Sequence, residues 1–286
     1  MGSWLGHTAP GTFFITGAIW WMIQLSYHKY RDNHQAQCRL IRYLSQKPVE
    51  GISIVVVALV GVFGENMHPA PKWRLFDAVT GDFVHMNVWQ HCTMYVYFGL
   101  YGMIKIIGQA YVPKLLKYST VFLSLAFGIE GLLFYYHVHG HDDLDIHIHM
   151  LLVLAAFGCC ILAFLEFRFP DEPIYRLTRI LFTMVQGTWF WMIGTVLYQP
   201  PSGKKWSPDD HENLMFLTTA FTWHVLVSMG VLTIIYHIVR KCMICMGHQQ
   251  KSGMPIQYQE LANSSNQRGV EHIGLLETAE LGSDLE

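Results

Sequence analysis

The 286-residue chain is 52% hydrophobic, 14% aromatic and only 14% charged, whereas soluble domains carry roughly 25% charged residues. Its 19 Lys and Arg stand against 21 Asp and Glu, so there is no basic excess to suit a nucleic-acid partner. The composition is that of an all-α, polytopic membrane protein in contact with lipid.

In chain order, seven apolar stretches approach the ~20 residues a spanning helix requires: about 10–28, 50–67, 87–109, 116–136, 148–167, 177–198 and 213–238. None alternates with the period of two that a membrane β-barrel needs, and helices satisfy their own backbone hydrogen bonds in lipid. The expectation is a seven-transmembrane-helix bundle over residues 1–240, with short connections making sequence neighbours antiparallel neighbours in space. The first stretch lacks a small-residue cleavage site and reads as a retained helix. The remainder, 241–286, is rich in Ser, Asn, Gln and Glu and is expected to be a disordered tail. Fifteen Lys and Arg fall in the first, third and fifth loops and the tail. Only Lys72, Arg74, Lys204 and Lys205 fall on the opposite side. That asymmetry predicts a lumenal or extracellular N-terminus and a cytosolic C-terminus.

None of the six cysteines falls in a lumenal loop, so no structural disulfide is expected. Cys242 and Cys245, with His248, include metal-ligand types but lack a completing pair. Juxtamembrane acylation of these cysteines, or of Cys38, is the alternative.

Histidine is the most informative residue. Eleven of the 16 belong to lumenal loops or outer helix halves, on the side that Lys and Arg avoid. The densest run, from Tyr135 to His149, turns the fourth helix into the fifth. Imidazole is the commonest protein metal ligand, and carboxylates often orient it. His91, His137, His139 and His149 are therefore the candidate ligands of a zinc or iron centre. Asp145, four residues before His149, shares its helical face and can fix its tautomer. His7 would lie at similar depth. Glu130, Gln186 and His224 are deeper, and ionisable groups within a membrane mark a functional interior by default. Glu130 and His224 are the candidate acid/base residues, with Glu130 partnering His224 or Gln186. The bland alternative is a structural hydrogen-bonded network between helices; a proton-linked role is a third. No Gly-x-Ser-x-Gly elbow occurs, which argues against an α/β-hydrolase-type nucleophile.

In the tail, Tyr258–Leu261 fits a tyrosine-based sorting signal and Glu271–Leu276 an acidic dileucine signal. Each would bind clathrin adaptors as an extended segment and direct cycling through endosomal or Golgi membranes.

The motifs Gly6-His7-Thr8-Ala9-Pro10-Gly11, Trp89-Gln90-His91-Cys92-Thr93-Met94-Tyr95 and Phe134-Tyr135-Tyr136-His137-Val138-His139-Gly140 occur together with Leu144-Asp145 and His149. With Gln186-Gly187-Thr188-Trp189-Phe190-Trp191, Asn213-Leu214-Met215-Phe216 and Trp223-His224, they make a pattern that resembles the transmembrane protein 45 family. The resemblance implies a seven-helix protein of Golgi, endolysosomal or plasma membranes and carries no catalytic assignment. His7, His91, His137, His139, His149 and His224 lie in the matching motifs. Three functional readings follow. The first is a non-enzymatic protein of membrane trafficking or partner binding. The second is a metal-dependent hydrolase or oxidoreductase acting on a lipid-like substrate. The third is proton or metal transport, disfavoured because Glu166 looks like nearly the sole ionisable continuation in the cytosolic half.

Overall fold

The computed structural model describes residues 3–34, 38–67 and 70–252. Seven long helices occupy the seven apolar stretches: α1 (Trp4–His34), α3 (Val49–Met67), α4 (Met86–Ala110), α5 (Ser119–His137), α6 (Asp143–Arg168), α7 (Pro173–Tyr198) and α8 (His211–Ser252). A short α2 (Arg39–Gln46) lies in the basic first loop, and a 3₁₀ turn (Pro113–Tyr118) leads into α5. Among the described residues, the sole β pairing is one isolated bridge between Phe76 and Phe83. Five helical segments are long and apolar enough to cross a membrane: α3, the 3₁₀ turn with α5, α6, α7 and α8. They make this an integral membrane protein. The polar residues of α1 and α4, among them the Glu50 and histidine partners described below, dilute the hydropathy of those two helices.

α7 is the central helix, buried along most of its length, while α3 and α8 expose most of their surface. The ladder α3–α4–α5–α6–α7–α8 runs between sequence neighbours, as expected of short connections, but α1 packs on α7 and α8. Glycine explains how. A Cβ on Gly11 would stand 2.7 Å from the Gly187 carbonyl oxygen, and one on Gly187 would stand 2.8 Å from that of Gly11. The two backbones can approach only because both side chains are missing. Packing here overrides the order of the chain.

α8 corrects one expected boundary. The charged pair Arg240 and Lys241 ends the apolar stretch, yet nothing there breaks a helix, and the element continues to Ser252. Met243 is fully buried in a small cluster with Tyr27, flanked by Tyr30, Cys38 and Ile41. Tertiary packing thus extends the helix past the point where hydropathy ends. The sorting motifs at 258–261 and 271–276 lie outside the described residues.

Near the middle of the bundle, Phe14 stacks on Phe190 and Phe127 and meets Phe98 edge-on. Trp189 is fully buried, and its indole N–H donates to the Ile148 carbonyl at 2.9 Å. This aromatic layer is the floor on which the histidine end is built.

A candidate site of anchored imidazoles above an apolar cavity

Four helix ends and one turn bring five imidazoles together at the end of the bundle opposite the basic loops. His7 comes from the second turn of α1, His91 from the second turn of α4, and His137 is the last residue of α5. The chain then reverses through Gly140, whose φ of 83° is left-handed and suits glycine. Asp142 caps α6, its carboxylate accepting the Asp145 N–H at 2.9 Å. The reversal delivers His141, Asp145 and His149 to the same place. Ring centroids lie 5.1 Å apart for His91–His137, 5.7 Å for His137–His141, 6.2 Å for His137–His149 and 5.7 Å for His7–His149. Phe134 touches His91, His137 and His149.

Each ring is held by its Nδ1. His7 meets the Ser3 carbonyl at 2.9 Å, His91 the Glu65 carboxylate at 3.3 Å and His137 the Gln90 Oε1 at 2.9 Å. Asp145 serves two rings: its Oδ2 lies 2.6 Å from His141 and its Oδ1 2.7 Å from His149. His149 also meets the Asp145 carbonyl at 2.9 Å, and that carbonyl has the hydrogen-bond geometry that Oδ1 lacks. All these partners are oxygen acceptors. Each Nδ1 therefore carries a proton, so that in the neutral ring it is the Nε2 that keeps the lone pair. This is the arrangement in which a carboxylate or carbonyl fixes an imidazole for work at its other nitrogen.

The structure redraws the candidate set. His91, His137 and His149 belong to the cluster. His139 does not: its ring stacks on Tyr136 and its Nδ1 returns to the Tyr136 carbonyl at 3.0 Å. His147 meets the Thr218 hydroxyl of α8 at 2.8 Å and also lies outside. The alternating histidines of the turn cannot all face one way, because α6 has begun by Asp143 and its period separates His147 from His149. His141 takes the place expected of His139, and His7 completes the group. Among the described residues no three His, Cys, Asp or Glu side chains are grouped to hold an ion.

Glu65 and Gln90 were not apparent as site residues from sequence. Gln90 had a signal, its place beside His91 in a motif. Glu65 had only its position at the end of an apolar stretch. Deeper, Glu130 lies beside Gln186. Both residues are buried, at 2% and 0% exposure, yet Glu130 Oε2 and both amide atoms of Gln186 lack hydrogen-bond partners. His224 instead packs edge-on against Trp189, with centroids 5.3 Å apart, and among the described residues no hydrogen bond or ion pair joins it to Glu130.

Below the cluster opens a cavity of about 360 Å³. Its walls come from α1, α3, α4, α5 and α7, and it opens because α1 and α3 do not pack closely against each other. His7, His91 and Glu65 line one end, Glu130 the wall, and Glu50 with Trp20 and Trp21 the other end. Between them the lining is apolar, including Phe14, Ile54, Val57, Met94 and Phe98. The far end is closed by Glu50, which accepts from Lys105 at 2.5 Å, Trp21 Nε1 at 2.8 Å and Trp20 Nε1 at 3.2 Å. The half of the bundle nearer the basic loops is thus better supplied with ionisable groups than its sequence suggests. The expectation that Glu166 stands nearly alone there is corrected by the Glu50–Lys105 pair and by Arg176 and Arg179 on Glu166.

Residues 117–237 match a family described as "Family of unknown function (DUF716)". The chain is 24% identical over 253 residues to transmembrane epididymal protein 1 of Rattus norvegicus, covering 83% of this chain and 81% of that protein. It is 29% identical over 161 residues to the Homo sapiens protein of the same name, covering 55% of this chain and 58% of that one. Transmembrane epididymal protein 1A of Mus musculus is 22% identical over 253 residues, covering 83% and 81%. The chain is thus a membrane protein that matches the DUF716 model over 117–237 and is similar along most of its length to transmembrane epididymal proteins, in line with the resemblance of its motifs to the transmembrane protein 45 family.

Proposed function

We propose that this protein holds a lipid-like amphiphile in the cavity between α1 and α3, with its polar head against His7, His91 and Glu65. The carrying observation is the cavity itself, with an apolar middle, acceptor groups at the histidine end, and a volume of about 360 Å³ within the range of small-molecule sites. Along α3, fifteen residues separate Glu50 from Glu65, roughly 22 Å of helix. That is longer than one leaflet of the ~30 Å hydrocarbon layer, so one extended chain fits along it. The unanchored Nε2 atoms accept hydrogen bonds and Glu65 is anionic, so the favoured head is a donor, a hydroxyl or an amine. Seven crossings with the N-terminus lumenal or extracellular, supported by the Lys and Arg asymmetry, would put that head at the exoplasmic surface. Traffic through Golgi, endosomal or plasma membranes belongs to the same proposal, supported by the two tail motifs.

Gly17 supplies the test. It lines the cavity, and a Cβ there would meet nothing within 4 Å. Gly17→Phe should fill the space without disturbing the helix. Native mass spectrometry of the purified protein, offered long-chain alcohols, amines and carboxylates, should show the alcohol or amine retained by wild type and lost from Gly17→Phe. Equal retention by both proteins would contradict the proposal.

One observation favours a second, catalytic reading. The Glu65–His91 pair lines the cavity, and a carboxylate-oriented imidazole with a free Nε2 is built as a general base. It would draw a proton from water attacking an ester or amide at the head. Release of free acid from a long-chain ester by wild type, but not by His91→Gln, checks it; no release by either rejects it.

A further inference from the structure

A second cavity, of about 500 Å³, opens at the basic end of the bundle among α1, α4, α5, α6 and α7. Lys105, Lys117, Arg176 and Arg179 line it, with Glu166 the one carboxylate. Glu166 is divided between two guanidinium groups: its Oε1 accepts from Arg176 Nε and its Oε2 from Arg179 Nε, each at 2.7 Å. Lys105 is tied to Glu50, just outside the cavity. Counting both carboxylates, four cations leave an excess of two positive charges.

Arg179 is the telling residue. Its side chain is 5% exposed and its guanidinium lies 4.5 Å from the centre of the Trp21 ring, so its plane is fixed. Its Nη1 is buried and has no hydrogen-bond partner. A buried guanidinium is ordinarily matched donor for donor, and Glu166 engages only the Nε edge. A donor therefore remains unused on a residue that lines a cavity already carrying a cationic excess. Paired guanidinium forks with nearby ammonium groups suit the oxygens of a phosphate, and a basic pocket between membrane helices on the cytosolic side suits an anionic headgroup.

We propose that this basic cavity binds a terminal, dianionic phosphate group, held by Arg179 and Arg176 with Lys105 and Lys117 completing the charge. The group is either the headgroup of a phosphorylated lipid or a free phosphate. The site is separate from the histidine-end cavity, from which the Glu50–Lys105–Trp21 layer divides it, so either proposal can fail alone.

The test uses the full chain in nanodiscs of phosphatidylcholine, with and without phosphatidylinositol 4-phosphate, and in detergent with inorganic phosphate against chloride at equal ionic strength. Retention of the phosphorylated lipid over phosphatidylcholine, read by native mass spectrometry, assigns the site to a headgroup. A saturable rise in melting temperature with inorganic phosphate alone assigns it to the free anion. In either case the double variant Lys117→Gln, Arg176→Gln should weaken binding by about tenfold or more. It spares the buried Arg179–Glu166 pair, so the fold should persist. Lys204→Gln, at the other end of the molecule, should bind as wild type does. Absence of preference for either phosphate probe, or binding unchanged in the double variant, would overturn the proposal.

Discussion

At the residue scale, Asp145 is the member of the histidine cluster with most to lose. One carboxylate lies against both His141 and His149. Without it His141 loses its hydrogen bond while His149 keeps the residue-145 carbonyl, a loss of about 1.5–3 kcal/mol for one bond to a charged group. Asp145→Ala should destabilise the protein by roughly that amount or somewhat more, whereas His139→Ala, outside the cluster, should stay within about 0.5 kcal/mol of wild type. Thermal unfolding in detergent compares them; equal effects would contradict the assignment. The sequence went far here, since imidazoles from separate helices do meet, and the four-residue spacing of Asp145 and His149 was enough to pair them. It favoured His139 over His141, because no local pattern reports the left-handed turn at Gly140 on which the choice depends. Glu65 was illegible for another reason: its partner is on α4, and no local pattern records a pairing between helices.

At the element scale, the fold depends on which helices come close. The Gly11–Gly187 crossing brings α1 onto α7 with no room for a methyl group. Gly187→Val should therefore cost about 1–3 kcal/mol by overpacking. Gly17→Ala, in open space on the same α1, should be neutral or stabilising by up to about 1 kcal/mol through helix propensity. The same melting experiment reads both, and the opposite order would refute this packing. In the loop before α4, Asp77 accepts N–H bonds from Val79 at 2.8 Å and Thr80 at 3.0 Å. These bonds hold its carboxyl below the ordinary carboxylate range. The turn is therefore favoured above the unfolded pKa, and that preference fades as pH falls through the lower folded value. The Phe76–Phe83 contact, followed by NMR in an acid titration, should persist until the pH is below the usual range for aspartate. Hydrophobic lengths sufficed to find every long helix, but the end of α8 and the docking of α1 came from tertiary contacts.

At the scale of the molecule, the helices leave a gap between α1 and α3 and a second, basic cavity at the other end, and the two ends of the bundle differ in chemistry. One end presents imidazoles with free lone pairs; the other is a cationic vestibule. That polarity was visible in the sequence as the segregation of His from Lys and Arg. The gap was not, because a cavity is set by helices that fail to pack. The orientation is tested by inserting an Asn-x-Thr acceptor near Gly203, in the α7–α8 loop. The proposed topology expects glycosylation there and none at Asn263; sugar at Asn263 would invert it.

The central claim is that an amphiphile occupies the interior between α1 and α3. Photocrosslinking with a long-chain alcohol carrying a diazirine in its chain, followed by peptide mapping, tests this directly. The account predicts adducts on cavity-lining residues such as Phe14, Ile54, Val57 and Met94, competed away by unlabelled alcohol and absent from Gly17→Phe. Adducts confined to exposed outer residues such as Val56, Leu59, Val60 and Leu226, insensitive to competitor, would contradict it.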